Sequence, residues 1–325
     1  MEVEVKPYDE SASAAWDNFV RNDSRNGTIF HERNFLSYHQ DGKFEDKSIL
    51  LYIKDKLSAV IPAACIKTDN DRKTIVSHPG SSAGGIVFHK KANLKNVLDI
   101  LETTISYYRA NLIDSVEFRL GEPIFSYPSH DELTYLLWYK GFKIRTREIS
   151  SCIRLDAKDW AYFGHERNQR YARSLGKTGI VIKQVETVDS LYPIIEKNLF
   201  ERYNKHPTHT QSELENLKKK YPDKIDFWVV ELNGSILAGA VIFSVNKFAL
   251  HDFYHTVNYD FNKEHALTYL LYNLYEHYQK QGYTWFNFGI SSRDDEIKWN
   301  ILQFKESVGG RATFRENWIL ENLQK

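Results

Sequence analysis

The chain has 325 residues, of which 42% are hydrophobic and 26% charged, so length and composition predict about two globular domains with cores of their own. Its 43 basic and 43 acidic side chains cancel, which excludes a global basic field for nucleic acid but is compatible with a local basic patch. The two cysteines, Cys65 and Cys152, predict no disulfide framework and suit a reducing compartment.

The first residues are acidic and no apolar run follows them, which predicts no secretory signal peptide. The purest apolar stretch, residues 236–243, is far too short to cross a bilayer. We therefore expect a cytoplasmic protein without a transmembrane segment, whose only membrane contact would be peripheral, at the inner face.

Strand-like and helix-like segments alternate along the first half, which predicts an α/β fold. Alternating apolar residues predict strands at residues 3–8, 48–54, 57–67, 73–77, 86–88, 115–120 and 143–155. Helical periodicity predicts helices at residues 12–21, 32–39, 94–111 and 131–139. A glycine-rich loop at residues 79–85 leads into the short strand 86–88.

The second half repeats this plan. Strands are predicted at residues 180–185, 227–232, 235–245, 248–256, 283–289 and 311–320, and helices at 166–177, 190–204, 212–220, 264–281 and 295–307. Asn233-Gly234 is the strongest hairpin signal in the chain. Because the two halves can be laid over each other, we expect two similar domains, 1–156 and 157–325, that pack closely around a cleft.

Three segments of the second half carry a resemblance to a known family. They are the basic helix Arg167-Asn168-Gln169-Arg170-Tyr171-Ala172-Arg173, the strand at 237–243 after the Asn-Gly turn, and Phe286-Asn287-Phe288-Gly289 followed by Phe304-Lys305-Glu306-Ser307-Val308-Gly309-Gly310. In this order they resemble the FemAB-like branch of the GNAT acyltransferases, which includes cell-wall aminoacyltransferases and their polysaccharide-cluster relatives. The first half matches only in general shape, through residues 28–31 and the loop at 80–85.

The resemblance implies a tandem pair of GNAT-like domains with mixed sheets, the N-terminal one degenerate, and an acyltransferase activity. Ordinary GNAT enzymes bind the pyrophosphate of CoA on a glycine-rich loop at a helix N-terminus, but residues 258–266 contain no glycine and carry acidic groups. We therefore expect no tightly bound cofactor and a donor that is either aminoacyl-tRNA or acetyl- or acyl-CoA. The second half contains no long inserted helical arm of the kind that some peptidoglycan-bridge enzymes have. A polysaccharide-type or small acceptor is therefore as plausible as a peptidoglycan precursor.

Acyl transfer to an amine needs a group that orients or deprotonates the amine and a group that stabilises the developing oxyanion. The resemblance implies that Lys305 stabilises an oxyanion or a carboxylate, with a solvated helix lysine as the alternative. The predicted strand 248–256 lies where GNAT enzymes open their sheet around the acyl group.

Strict alternation along that strand places His251, Phe253 and His255 on one face and Asp252 and Tyr254 on the other. We expect Asp252 or His255 to act as the base, Tyr254 to act as a hydrogen-bond donor and His251 to contact the substrate. The alternative is that these are satisfied polar residues at a sheet edge.

Other side chains are candidates for substrate binding. Arg167, Arg170, Arg173 and Lys177 recur at three- and four-residue spacing on one helix face. That stripe would hold a diphosphate, a nucleotide-sugar or a tRNA backbone, unless it is only a solvated face.

The loop after strand 283–289 is a pocket candidate because ligands favour the carboxyl ends of strands in α/β sheets, which selects Ser291 and Arg293. The resemblance adds Asn287, Gly289 and Phe304, and it places His31 with the loop at 80–85 on the first-half wall of the cleft. Two histidines in the stretch 205–209 lack a third ligand at motif spacing, so no metal is predicted.

The main hypothesis is transfer of an acyl or aminoacyl group to an amine of a cell-surface polysaccharide or peptidoglycan precursor. The protein would bind this acceptor as a small molecule, a nucleotide-sugar or a peptide. A second hypothesis is an acetyl-CoA-dependent N-acetyltransferase with an unusual CoA loop. A third is a catalytically silent binding module.

Overall fold

The computed structural model of the chain describes residues 2–38, 42–67, 71–176, 179–261 and 265–324. The chain divides into unit 1, which contains Met1–Glu148 and Phe314–Lys325, and unit 2, which contains Ile149–Thr313. The C-terminal segment thus belongs with unit 1. The division of the chain into domains 1–156 and 157–325 stays a prediction.

Unit 1 contains two sheets and the helices that cover them. Its strands are β1 (Glu4–Pro7), β2 (Glu45–Asp46), β3 (Ile49–Ile53), β4 (Lys56–Ile61), β5 (Ala64–Lys67), β6 (Lys73–Ser77), β7 (Val87–Phe88), β8 (Ser115–Arg119) and the start of β9 (Lys143–Arg154). Its helices are α1 (Ser13–Asn18), α2 (Arg33–Leu36), α3 (Leu94–Ala110) and α4 (Asp131–Tyr139). The strand orders are β1-β3-β4-β7 and β8-β6-β5-β2, with β6 and β8 parallel.

The apolar stretch 57–67 forms parts of two strands, β4 and β5, so the prediction of a single strand there is wrong. Pro62 lies between them. Proline has no backbone N–H and cannot continue a ladder of hydrogen bonds. The chain therefore leaves the β3–β4 hairpin and pairs β5 with β6 in the other sheet.

Unit 2 is built on strands in the order β10-β11-β12-β13-β14, with the end of β9 beside β14. Its elements are α5 (Asp159–Phe163), α6 (Glu166–Leu175), β10 (Val181–Val185), α7 (Tyr192–Tyr203), α8 (Gln211–Lys220), β11 (Ile225–Leu232), β12 (Ser235–Ser244), β13 (Ala249–Val257), α9 (Ala266–Lys280), β14 (Trp285–Ile290), β15 (Ser292–Arg293), β16 (Glu296–Ile297), α10 (Trp299–Ser307) and the start of β17 (Arg311–Leu320). The β13–β14 pair is parallel, whereas the β10–β11, β11–β12, β12–β13 and β14–β9 pairs are antiparallel. In unit 1, the end of β17 pairs with β8.

Two turns in unit 2 follow from residues that adopt positive φ. Asn233 and Gly234, at φ 50° and 82°, form the predicted tight turn between β11 and β12. Asp294 and Asp295, at φ 54° and 61°, turn the chain between β15 and β16. The predicted helix 295–307 therefore begins only at Trp299.

Each unit has a core under one amphipathic helix. In unit 2 the apolar face of α9, with Leu267, Leu270, Leu271 and Leu274, packs on the sheet. Helix α3 does the same in unit 1. Among the helices of the described residues, none combines the length and the apolarity that crossing a bilayer would require.

Candidate active site

Strands β13 and β14 stay paired over only three positions. Ala249 lies opposite Trp285, and His251 lies opposite Asn287. Beyond His251, β13 continues against β12 as far as Val257, but no strand of the described residues pairs with its other edge. The two strands therefore diverge at their carboxyl ends, a place where α/β sheets commonly bind ligands.

A β-bulge in β13 decides which side chains share a face. The β12–β13 register skips Phe253, which is the extra residue. One extra residue sends every following side chain to the opposite face of a strand. The predicted grouping by strict alternation is therefore wrong: Asp252 and His255 share one face, and His251 and Tyr254 lie on the other.

Asp252 and His255 form a hydrogen-bonded pair. His255 Nδ1 lies 2.7 Å from Asp252 Oδ2, and the Asp252 side chain is fully buried whereas that of His255 is 22% exposed. Because a buried carboxylate needs a donor, Asp252 holds the imidazole proton on Nδ1 and leaves the lone pair on Nε2. Within the described residues, Asp252 Oδ1 has no hydrogen-bond partner. The pair can therefore accept a proton at Nε2.

A cavity of about 390 Å³ lies at the open edge of β13, lined by residues of α7, β13, α9 and α10. This volume is within the range of roughly 300–1,000 Å³ found for small-molecule sites. His255 and Phe304 both line it, with ring centroids 5.5 Å apart. Asn198 ties α7 to the strand by donating to Thr256 Oγ1 at 2.6 Å and to the Val257 carbonyl at 2.7 Å.

Polar residues that line this cavity without having been predicted as site residues include Asn198, Arg202 and Asn300. The Arg202 guanidinium lies 4.0 Å from the centre of the Tyr259 ring, which is cation–π geometry. Ile195, Asn198 and Arg202 follow one another at three- and four-residue spacing. That spacing marks one helix face and is the signal that could have indicated them.

Lys305 is buried, with 2% of its surface exposed. Its Nζ donates to the Gly289 and Ile290 carbonyls, both at 2.8 Å. These carbonyls belong to the end of β14, where the strand has left β13. The ammonium therefore braces the diverging strand, and its role as oxyanion stabiliser stays a prediction.

A buried polar network lies in the sheet beside this brace. His251 Nδ1 is 2.7 Å from Asn287 Oδ1, which also accepts the Gly289 N–H at 2.8 Å. Asn287 Nδ2 donates to Ser150 Oγ at 3.1 Å. These contacts satisfy polar groups inside the sheet, so they position β14; substrate contact by His251, Asn287 or Gly289 stays a prediction.

The Tyr254 hydroxyl contacts the loop between α7 and α8. It accepts the His209 N–H at 3.2 Å and lies 3.3 Å from His209 Nδ1. Burial raises the pKa of Tyr254, so the hydroxyl keeps its proton at neutral pH. Tyr254 lines the cavity, and its use as a donor to substrate stays a prediction.

Residues 165–305 match the family model described as acetyltransferase (GNAT) domain. This segment of the chain is therefore similar to a GNAT acetyltransferase domain. The segment contains the open edge of β13, the Asp252–His255 pair and the cavity. No curated protein matches the chain in sequence.

Solved structures extend the likeness to the whole chain. The crystal structure of FemX has a TM-score of 0.75 at 13% identity and covers 100% of this chain and 98% of that one. L-PGS from Bacillus licheniformis has a TM-score of 0.58 at 13% identity, covering 95% and 91%. A tandem GNAT protein from the clavulanic acid biosynthesis pathway has a TM-score of 0.57 at 10% identity, covering 99% of both chains.

At these low sequence identities, the solved structures are evidence for the fold alone. They confirm the predicted tandem GNAT fold. The match of residues 165–305 confirms the prediction of an acyltransferase.

The predicted basic stripe lies on α6 of the GNAT domain. Arg167, Arg170 and Arg173 are exposed, and Arg167 Nε donates to Tyr171 OH at 3.1 Å. Lys177 lies outside the described residues, as do residues 262–264 of the stretch that takes the place of the glycine-rich CoA loop. Binding of an anion by the stripe stays a prediction.

Ser291 and Arg293 follow β14, as expected. Ser291 is buried, and its Oγ has no hydrogen-bond partner among the described residues. Arg293 is exposed and lies 3.8 Å from Asp294. Neither residue lines the 390 Å³ cavity, so substrate contact by either stays a prediction.

His31 is buried in unit 1, and both of its ring nitrogens are occupied. Nδ1 accepts the Thr28 N–H at 3.1 Å, and Nε2 lies 3.1 Å from the Gly84 carbonyl. Burial lowers the pKa of His31 to about 4. The ring is therefore neutral at pH 7 and ties residues 28–31 to the glycine-rich loop.

This pKa makes the stability of the protein depend on pH. Between pH 6.5 and about 4, the unfolded chain protonates His31 and the folded protein does not. His31 should therefore lower the free energy of unfolding by about 1.4 kcal/mol for each pH unit as pH decreases through this window, in addition to what other groups contribute. Urea unfolding of the wild type and of His31→Gln measures it. The variant should have a shallower slope, whereas His89→Gln, a partly exposed histidine of unit 1, should keep the wild-type slope; equal slopes in all three would contradict the assignment.

Proposed function

We propose that this chain transfers an acyl or aminoacyl group from an activated donor to an amine of a cell-surface polysaccharide or peptidoglycan precursor. The observation that carries the proposal is the Asp252–His255 pair on a strand whose edge is open beside a cavity. In this arrangement β13 carries both the proton acceptor, His255, and backbone N–H groups at an edge that no strand of the described residues pairs with.

The proposed reaction uses His255 as general base. The amine nitrogen attacks the acyl carbonyl carbon and forms the new C–N bond while its proton passes to His255 Nε2. The bond to the oxygen or sulfur of the donor then breaks, and the proton leaves with that group. Asp252 accepts the hydrogen bond from Nδ1–H throughout and keeps the other proton on that nitrogen.

The oxyanion needs donors that are already in place. Beyond His251, no strand of the described residues pairs with the open edge of β13, so backbone N–H groups there can receive the carbonyl oxygen as it becomes charged. Lys305 contributes by holding Gly289 and Ile290 away from this edge. Phe304 and His255 would pack against the apolar part of the acyl group.

Two donor classes remain in the proposal. The likeness of the fold to FemX and to a putative lysylphosphatidylglycerol synthetase from Agrobacterium fabrum supports an aminoacyl donor. The match of residues 165–305 to an acetyltransferase domain supports acetyl-CoA. Arg202 at the cavity supplies a cation for the phosphates of either donor. A cytoplasmic location is part of the proposal.

Calorimetric titration of the purified chain with acetyl-CoA separates the donors. Stoichiometric binding that Arg202→Ala weakens would place acetyl-CoA first. No binding by the folded protein would place aminoacyl-tRNA first, to be assayed with amine-bearing sugar nucleotides as acceptors. Binding of substrates without transfer from either donor would contradict the proposal and favour the silent binding module.

A further inference from the structure

A row of aromatic side chains lies exposed on unit 1. Helix α4 buries Leu133, Leu136 and Leu137 and therefore presents Tyr135 and Trp138 on its outer face. Tyr135 is 54% exposed and Trp138 64% exposed, and their ring centroids are 5.8 Å apart. Exposed aromatic groups of this size in one place mark an interaction site more often than a solvated surface.

These rings form one wall of a groove of about 510 Å³, lined by described residues of unit 1 alone. Phe314, 50% exposed, contributes from β17. The Arg147 guanidinium lies 5.2 Å from the Phe314 ring centre and donates to Glu316 Oε1 at 2.6 Å. Trp318 Nε1 donates to Glu316 Oε2 at 2.9 Å. Aromatic faces and fixed polar groups therefore meet along the same groove.

His130 provides a second, independent observation. It lines the groove, is 7% exposed, and has a buried Nδ1 without a hydrogen-bond partner among the described residues. Buried polar atoms are nearly always partnered, so this unsatisfied nitrogen is an exception beside the groove. Burial lowers the pKa of His130, which leaves a neutral ring that can exchange hydrogen bonds with a hydroxyl.

The charges of the groove select the class of ligand. Its described lining carries one cation, Arg147, against the carboxylates of Glu316 and Asp131, so phosphates and other anions are disfavoured. A sugar ring fits because its C–H face packs on aromatic rings, while its hydroxyls bond with carboxylate, guanidinium and imidazole groups.

We propose that the groove bounded by Tyr135, Trp138, Phe314 and Glu316 binds neutral carbohydrate, with sugar rings stacked on the exposed aromatic side chains. This binding site does not depend on the acyl transfer proposed for unit 2. If carbohydrate binding in the groove were disproved, the proposed acyl transfer would not be affected. If the acyl transfer were disproved, the proposed carbohydrate site would not be affected.

Calorimetric titration of the full chain with neutral four-ring oligosaccharides of glucose and of N-acetylglucosamine tests the proposal. Saturable binding of at least one of them is expected. Trp138→Ala and Phe314→Ala should each weaken it by about tenfold or more. Tyr127→Ala, which removes an exposed ring of unit 1 that does not line the groove, should leave the affinity unchanged.

Three results would overturn this assignment. The first is the absence of saturable binding by the folded wild type, and the second is equal affinity in Trp138→Ala. The third is a different occupant: uridine monophosphate that binds and displaces the sugar would identify a base-stacking site. Self-association in sedimentation velocity that Trp138→Ala abolishes would likewise identify an interface between copies.

Discussion

Replacing His255 by alanine is expected to lower turnover by about 10²–10⁴-fold, the usual contribution of a general base. The variant loses the nitrogen that takes the proton of the attacking amine. The His255 side chain is 22% exposed and lines the cavity, so its removal should leave the fold intact. Steady-state transfer of a labelled acyl or aminoacyl group to an amine acceptor measures the effect, with circular dichroism to check the fold.

Asp252→Asn tests the pair without removing the imidazole. An amide in this place can donate to Nδ1, which moves the ring proton to Nε2 and removes the lone pair that the reaction needs. A loss of turnover comparable to that of His255→Ala is therefore expected. The double variant should be little worse than either single variant, because both changes disable one device.

His206→Ala is the matched control, because His206 is an exposed histidine of the same unit that does not line the cavity. It should retain wild-type turnover. Full activity of folded His255→Ala would contradict the proposed base and would mean that the amine arrives already deprotonated.

Much of the fold could be predicted because local signals agree with it. Asn233-Gly234 forms its turn because both residues tolerate positive φ. The apolar stripe of α9 is visible in the sequence at helical spacing. Such features depend on residues a few positions apart. The order of these elements, together with the family resemblance of three segments, predicts a tandem GNAT fold.

The site was only partly predictable, because its geometry depends on pairing between distant strands. Asp252 and His255 were both selected, but strict alternation separated them. The bulge at Phe253 follows from how β13 packs on β12, and no local pattern marks it. Asn198 and Arg202 lie on a helix with no motif, and only the tertiary structure brings them to the cavity.

Lys305→Met is expected to lower the free energy of unfolding by about 2–5 kcal/mol. The substitution keeps much of the side-chain volume but removes the ammonium. The Gly289 and Ile290 carbonyls would then lose a charged donor in a buried place. Urea unfolding followed by tryptophan fluorescence measures the change. Turnover should fall as well, because the end of β14 is no longer held.

Lys298→Met is the matched control, because Lys298 precedes the first turn of α10 and Lys305 lies in its last turn. Lys298 is 45% exposed, and its pair with Glu296 is on the surface, so its loss should change stability by less than about 0.5 kcal/mol. The comparison also separates two roles of Lys305. Lost turnover with unchanged stability would contradict the bracing role and favour direct stabilisation of the oxyanion. Lost stability with parallel loss of turnover would mean that Lys305 acts through the position of β14.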